Sequence, residues 1–203
     1  MAELDREHWE RRFRTPDYLF GTEPNSFLKS QAHRLKVGQT ALAIADGEGR
    51  NGVWLAERGL HVHAVDISPA ALAKARALAE RRGVVLCTEQ ADLEHWPWPR
   101  EAYDIILAIF IQFAGPTLRE RIFAGIKQAL KPGGLLLMQG YRPEQLSYRT
   151  GGPPHIDYLY TRPMLEAAFA DLIELKIHEH DSVVNEGTAH VGMSALVDLV
   201  GVK

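Results

Sequence analysis

Ala41 to Asp66 reads ALAIADGEGRNGVWLAERGLHVHAVD. A short apolar strand runs into a glycine-bearing turn, a helix, and a second strand that ends on a carboxylate. This is the layout of a nucleotide-binding β-α-β unit. In the turn Gly47-Glu48-Gly49-Arg50-Asn51-Gly52, the missing β-carbons of Gly47 and Gly49 let backbone amides approach a ligand, and the following helix points its N-terminus the same way. Asp66 lies about 20 residues past the turn, where a carboxylate suits both hydroxyls of an adenosine ribose. Asp66 could instead cap the next helix, but Ser68 already supplies a capping hydroxyl.

Outward from this unit, strands are expected at 41–45, 61–66, 84–89, 103–110 and 134–140, with helices near 52–58, 69–82, 117–130 and 162–169. Such alternation predicts an α/β fold with a doubly wound, mostly parallel sheet covered on both faces. Ser68, Pro69 and Gly83 mark both ends of the helix at 69–82. The strand YDIILAIF at 103–110 is apolar along nearly its whole length, as a central parallel strand should be. The β-rich runs 172–181 and 189–200, joined by Asn185-Glu186-Gly187, predict an antiparallel hairpin at one sheet edge, for seven strands in all. A dinucleotide-binding dehydrogenase would continue with parallel strands instead. The irregular stretch 141–161 is long enough to expect a functional, substrate-side loop.

A length of 203 residues fits one domain, 1–203, opening with an N-terminal helical segment at 1–38. Net charge is −3 with acidic and basic residues interspersed, which argues against nucleic acid as a partner. The longest apolar run, Ile105 to Phe113, is interrupted by Gln112 and is too short for a bilayer, and the charged start MAELDREHWERRF does not read as a secretory signal. We therefore expect no membrane partner and a cytoplasmic protein, monomer or homodimer. The single cysteine, Cys87, ends the run Val84-Val85-Leu86-Cys87 and reads as unreactive strand interior.

Taken together, the glycine turn, Asp66, Gln90-Ala91-Asp92-Leu93, the strand YDIILAIF, Leu130-Lys131-Pro132-Gly133-Gly134 and the terminal hairpin resemble the class I S-adenosylmethionine-dependent methyltransferases. More narrowly, Tyr18-Leu19-Phe20-Gly21-Thr22-Glu23-Pro24-Asn25, GEGRN and the tail from Asn185 to Gly192 look like the small bacterial tellurite-resistance methyltransferases and their thiopurine-methyltransferase-like relatives. The resemblance implies S-adenosylmethionine as cofactor and methyl transfer to a small-molecule acceptor, with a thiol or a chalcogen oxyanion such as tellurite as the favoured class. A nucleotide-binding oxidoreductase and a non-catalytic S-adenosylmethionine-binding protein are the alternatives.

On this reading the cofactor-binding residues are Asp46, Gly47, Gly49, Asn51, Asp66, Ile67, Asp92, Leu93, Ile109 and Phe20. By resemblance, Asp92 or its neighbouring backbone lies near the adenine amino group, Ile67 and Leu93 wall the ring, and Phe20, with Trp9 and Tyr18, belongs to an aromatic lid. A cation over such faces gains ~0.5–2 kcal/mol. Trp9 and Phe13, four apart, could equally dock an amphipathic helix. Ile109 ends the central strand, where open α/β sheets bind ligands. Many class I members carry an acid and a glycine where this chain has Ala43 and Ala45, so Asp46, or else Glu48, is expected to replace the carboxylate near the methionine amine.

For the reaction itself, the candidates are His190, placed on the substrate side by resemblance, and Arg149 and Tyr148 of the long loop, where Arg142 and Arg149 offer planar donor forks for an oxyanion. The alternative for Arg142 is a surface pair with Glu144. His178 and His180 share a strand face, but the sequence offers no third Cys or His at metal-binding spacing, and no metal is expected.

Overall fold

The computed structural model describes residues 3–203. A seven-stranded sheet runs in the order β3-β2-β1-β4-β5-β7-β6. The strands are β1 (Thr40–Ile44), β2 (His61–Asp66), β3 (Cys87–Gln90), β4 (Tyr103–Ile109), β5 (Leu130–Tyr141), β6 (Glu174–Glu186) and β7 (His190–Val202). β3, β2, β1, β4 and β5 are parallel; β7 pairs antiparallel with both β5 and β6. The helices are α1 (Glu3–Phe13), α2 (Ser26–Ser30), α3 (Arg50–Glu57), α4 (Pro69–Arg82), α5 (Pro116–Ala129), α6 (Gln145–Tyr148) and α7 (Arg162–Ala168).

Alternate residues of the central strands feed separate cores. Leu42, Ile44, Ile106 and Ala108 pack on the face that carries Phe123, Leu165 and Phe169 from α5, α7 and the turn after it. Ala41, Ala43, Ile105 and Leu107 meet Phe27, Leu28, Trp54 and Leu55 from α2 and α3 on the other. Because β1 and β4 are buried on both faces, they read as continuous apolar runs. From β1 the chain winds out to β2 and β3, then returns to β4 on the opposite side of β1. The reversal opens a crevice at the C-terminal ends of β1 and β4, the place where such sheets take ligands.

The helix at 69–82 has the expected ends: Ser68 Oγ accepts from the amide of Ala71 at 3.1 Å, and Gly83 closes it in the left-handed region at φ 68°. Two expectations need correction. β3 is an edge strand only from Cys87 to Gln90, and Val84 to Leu86 form its approach; Val85 is 89% exposed and Cys87 is exposed too, not strand interior. The hairpin is longer than 172–181 and 189–200: β6 continues through Asn185 and Glu186, and the turn is Gly187 to Ala189. The loop at 141–161 contains α6 and a short 3-10 turn at Ile156–Tyr158. No helix among the described residues is long and apolar enough to cross a membrane.

The N-terminal segment is laced across the crevice. Glu10 accepts from Ser68 Oγ at 2.5 Å and from the amide of Ala70 at 3.2 Å, which docks α1 on the start of α4. Tyr18 donates its hydroxyl to the carbonyl of Lys74 at 2.9 Å. At the other end, the amide of Thr188 in the hairpin tip donates to the carbonyl of Leu19 at 3.0 Å.

Candidate functional site: two joined cavities at the sheet's C-terminal edge

A first cavity, about 780 Å³ of atom-free space counted to its open mouth, lies at the crevice. Its floor is the turn after β1. Ala45 has φ 48°, the left-handed conformation that costs a non-glycine residue ~1–2 kcal/mol, so this chain keeps a glycine's backbone geometry with an alanine. Asp46 follows, half-buried at the cavity wall, and accepts from the amide of Gly52 at 3.1 Å; a β-carbon on Gly52 would stand 2.5 Å from Asp46 Oδ2. The glycine at the head of α3 is thus the space that the Asp46 carboxylate occupies. Burial pushes the Asp46 carboxyl up to about 7, and the nearby Asp66 adds to the rise against the opposing pull of the Gly52 amide.

Asp66 ends β2 with 7% of its surface exposed. Its two oxygens accept from the amides of Gly47 and Ser68, each at 2.9 Å, while the first-turn amides of α4 go to Ser68 Oγ and Glu10. Burial raises its carboxyl to about 6 in spite of those amides. Asp46, Gly47, Asn51, Asp66, Ile67, Leu93, Ile109 and Phe20 all line this cavity, together with Ala91.

Two predicted contacts sit elsewhere. A β-carbon on Gly49, at φ 87°, would come within 2.6 Å of Ala75 Cβ, so this glycine serves the packing of α3 on α4. The Asp92 side chain turns to the amide of Glu94 at 3.0 Å and to His95, leaving its neighbours Ala91 and Leu93 on the wall. Glu48 is 3% exposed and bound to Lys74 Nζ at 2.7 Å, with the amide of Phe20 also donating to it at 3.3 Å. It fastens the N-terminal segment and leaves the crevice to Asp46.

Arg50 was not singled out in the sequence. It lines the first cavity, and its Nη2 donates to Glu186 of β6 at 2.6 Å. Its Nη1 is a buried donor without a partner, which suits an anionic group entering the cavity. Asn25 joins the same network: its amide donates to Asn51 Oδ1 at 2.9 Å and its Nδ2 to Gln139 Oε1 at 2.7 Å and Glu186 Oε1 at 3.1 Å.

A second cavity of about 1080 Å³ abuts the first, and Trp9, Phe20, Phe110, Phe113 and His190 line both. Its remaining walls include Arg12, Gln112, Tyr141, Tyr158 and the Gly151-Gly152-Pro153-Pro154 stretch of the long loop. His190 packs between Phe20 and Phe110, with ring centroids at 4.5 and 4.6 Å, and its Nδ1 is buried without a partner. Burial, reinforced by the cations of Arg50 and Arg12, depresses its pKa to about 3, so the imidazole is neutral at physiological pH. Phe110 itself sits at φ 53°, a constrained backbone where β4 opens onto the site.

Tyr148 and Arg149 line neither cavity: both are exposed, and the Tyr148 hydroxyl donates to Asp181 at 3.0 Å. Arg142 pairs with Glu144 at 3.3 Å and with Asp181, and its Nε donates to the carbonyl of Leu196 at 3.0 Å, so its largely covered guanidinium is spent on the hairpin and lines neither cavity. Trp9 both stacks on Phe13 at 5.7 Å and faces the cavities, so docking and lining coincide in one residue.

Residues 41–134 match the model of the methyltransferase domain family. The demethylmenaquinone methyltransferase of Thermus thermophilus is 32% identical over 110 residues, covering 53% of this chain and 50% of that protein. The chain spans about half the length of such curated relatives or less. Among solved structures, TehB from Haemophilus influenzae superposes with a TM-score of 0.70 at 15% identity, covering 98% of this chain and 67% of that one. Phosphoethanolamine N-methyltransferase 2 of Haemonchus contortus, in complex with S-adenosyl-L-methionine, gives 0.69 at 18% identity, with coverage of 97% and 56%. The fold is the Rossmann-like methyltransferase fold, with the C-terminal antiparallel hairpin predicted from the tail.

Proposed function

We propose that this chain is an S-adenosylmethionine-dependent methyltransferase for a small-molecule acceptor. The observation that carries the proposal is the joined pair of cavities: one gathers two carboxylates and a guanidinium that suit the hydroxyls, ammonium and carboxylate of the cofactor, and the other meets it across the wall of Trp9, Phe20, Phe110, Phe113 and His190. In the first, Asp66 takes the ribose hydroxyls and Ile67, Ala91 and Leu93 enclose the adenine. Asp46 takes the ammonium and the unpartnered Arg50 Nη1 takes the carboxylate. The match of 41–134 to the methyltransferase domain family supports this assignment.

When bound, the cofactor supplies an electrophilic methyl on a sulfonium for in-line displacement. The chain's part is alignment, worth up to ~7–11 kcal/mol, and the exclusion of water by the aromatic wall. Two of the groups that line the second cavity are poor bases, since His190 has its pKa depressed to about 3 and burial raises the Tyr141 hydroxyl above its ordinary range; the remaining imidazole is His8, exposed on α1. A nucleophile that ionises with little help therefore fits best. A thiol, with a pKa near ~8.5, or an anionic chalcogen species such as tellurite meets that condition. Arg12, the cation of this cavity, favours an anionic acceptor, and the neutral His190 offers it a polar contact.

Calorimetry with S-adenosylhomocysteine, S-adenosylmethionine and NAD, followed by an acceptor screen of thiols, tellurite and amines read by S-adenosylhomocysteine release, tests the proposal. Binding of the first two ligands with turnover of a thiol or tellurite is expected. Preference for NAD would turn the reading to an oxidoreductase, and tight binding without any product to a non-catalytic binding protein.

A further inference from the structure

The antiparallel register at the sheet edge places Asp198 of β7 directly across from His178 of β6, with His180 two positions on along the same face. The sequence offered this pair of histidines no third ligand; the fold brings one from 18 residues further along the chain. Ligand atoms of His178, His180 and Asp198 lie within 4.8 Å of one another. A tetrahedral ion with bonds of ~2.0–2.1 Å needs its ligands ~3.4 Å apart, a contraction that side-chain torsions supply without moving the strands.

The surroundings resemble those of a metal site more than those of a chance cluster. His180 Nδ1 is engaged by Ser182 Oγ at 2.8 Å, which leaves Nε2 facing Asp198 Oδ2 at 3.1 Å. The other Asp198 oxygen accepts from Gln139 Nε2 at 2.6 Å, and Gln139 is in turn held by Asn25. Each inner group except the exposed His178 is therefore oriented by an outer hydrogen bond, the arrangement that fixes metal ligands. The His178 and His180 rings stack at 5.0 Å, both edges turned to one carboxylate. Two imidazole nitrogens and one carboxylate oxygen suit a divalent ion of intermediate softness, of the zinc and cobalt class, better than calcium or magnesium. Lys176, the next residue on that face, is exposed, so water screens its charge.

We propose that His178, His180 and Asp198 bind one divalent transition-metal ion that clasps the edge strand β6 to β7, with solvent completing the coordination. The site is outside both cavities and its role is structural: it braces a hairpin whose far end presents Glu186 to Arg50.

Tag-free, full-length protein stripped with a chelator is titrated with Co²⁺ by visible absorption and with Zn²⁺ by calorimetry, alongside His178→Ala/His180→Ala, Asp198→Asn and a His33→Ala/His61→Ala control at exposed histidines elsewhere. Wild type and control should bind one ion per chain and gain thermal stability from it. The double variant and Asp198→Asn should each bind about tenfold or more weakly, and Gln139→Ala should weaken binding by about tenfold. Equal affinity of wild type, the double variant and Asp198→Asn would overturn the proposal, leaving a plain His–Asp hydrogen bond. Should the double variant fail to fold, the near-isosteric Asp198→Asn decides alone.

Discussion

At the scale of single residues, two carboxylates that line the first cavity set the pH response of the site. Asp46 and Asp66 have pKa values raised to about 7 and about 6, so in the free protein both take up protons as pH falls through that range. A cationic ligand whose hydroxyls donate to Asp66 requires both as carboxylates, and binding must release protons. Cofactor affinity should therefore fall by about tenfold between pH 8 and pH 6, measured by calorimetry, with a heat that depends on the buffer's ionisation enthalpy. For the free protein the sign reverses: carboxyls raised above their unfolded values stabilise the fold below about pH 4, and this contribution is lost as pH rises through 6 to 7.

On the proposed assignment Arg50 and Asp66 hold opposite ends of the cofactor, which a pair of ligands can separate. Asp66→Ala should weaken S-adenosylhomocysteine and methylthioadenosine alike, by roughly tenfold or more if a charged contact of ~1.5–3 kcal/mol is lost. Arg50→Met should weaken only S-adenosylhomocysteine, since methylthioadenosine has no amino-acid end. Equal losses for both ligands in Arg50→Met would remove the carboxylate assignment. Asp66 was legible in the sequence because strand, turn and carboxylate are contiguous. Arg50 was not, since its meaning comes from Glu186, 136 residues away.

At the scale of elements, the N-terminal segment and the hairpin tip form one cover. Gly187, at φ 66°, would drive a β-carbon into the backbone of Leu19 and Phe20, so only glycine lets the tip meet the segment that carries Phe20 over the cavities. Gly187→Val should cost roughly 1–3 kcal/mol of closure and weaken cofactor binding on the order of tenfold, while far-ultraviolet circular dichroism stays unchanged. Normal affinity in that variant would detach the cover from binding.

The hairpin, the helix at 69–82 and the parallel core were all readable from period and punctuation, because each is a local pattern. The approach to β3 was misread because Val84 to Leu86 has strand composition but no partner on β2, whose pairing with β3 begins at His63 opposite Cys87. Tyr148 and Arg149 were misplaced for a related reason: loop composition does not reveal direction, and this loop turns Gly151 to Pro154 to the cavity while Tyr148 and Arg149 face water. Gly49 looked like a ligand-facing glycine because close helix packing selects the same residue type as close ligand approach.

At the scale of the whole molecule, the sheet separates stability from function along its strands. The site occupies the C-terminal ends, whereas at the N-terminal ends Asp104 ties β1, β4 and the start of β5 together. It accepts from the Thr40 amide at 2.8 Å, from Thr40 Oγ1 at 2.7 Å and from Lys131 Nζ at 2.9 Å. These partners outweigh its desolvation and hold its carboxyl at about 2. A carboxyl depressed below its unfolded value stabilises the fold above about pH 4 and loses that contribution as pH falls through 2. The Lys131 side chain is 37% exposed and that of Asp104 30%, so water screens the pair and its worth is about 1 kcal/mol, well under the full linkage value. Asp104→Asn should accordingly lower the unfolding midpoint at pH 7 by about 2–4 °C and flatten the acid limb of the stability curve, yet leave cofactor affinity at its wild-type value. Loss of affinity in Asp104→Asn would mean that the two ends of the sheet are coupled, and that the site's geometry depends on strand register set at the opposite edge.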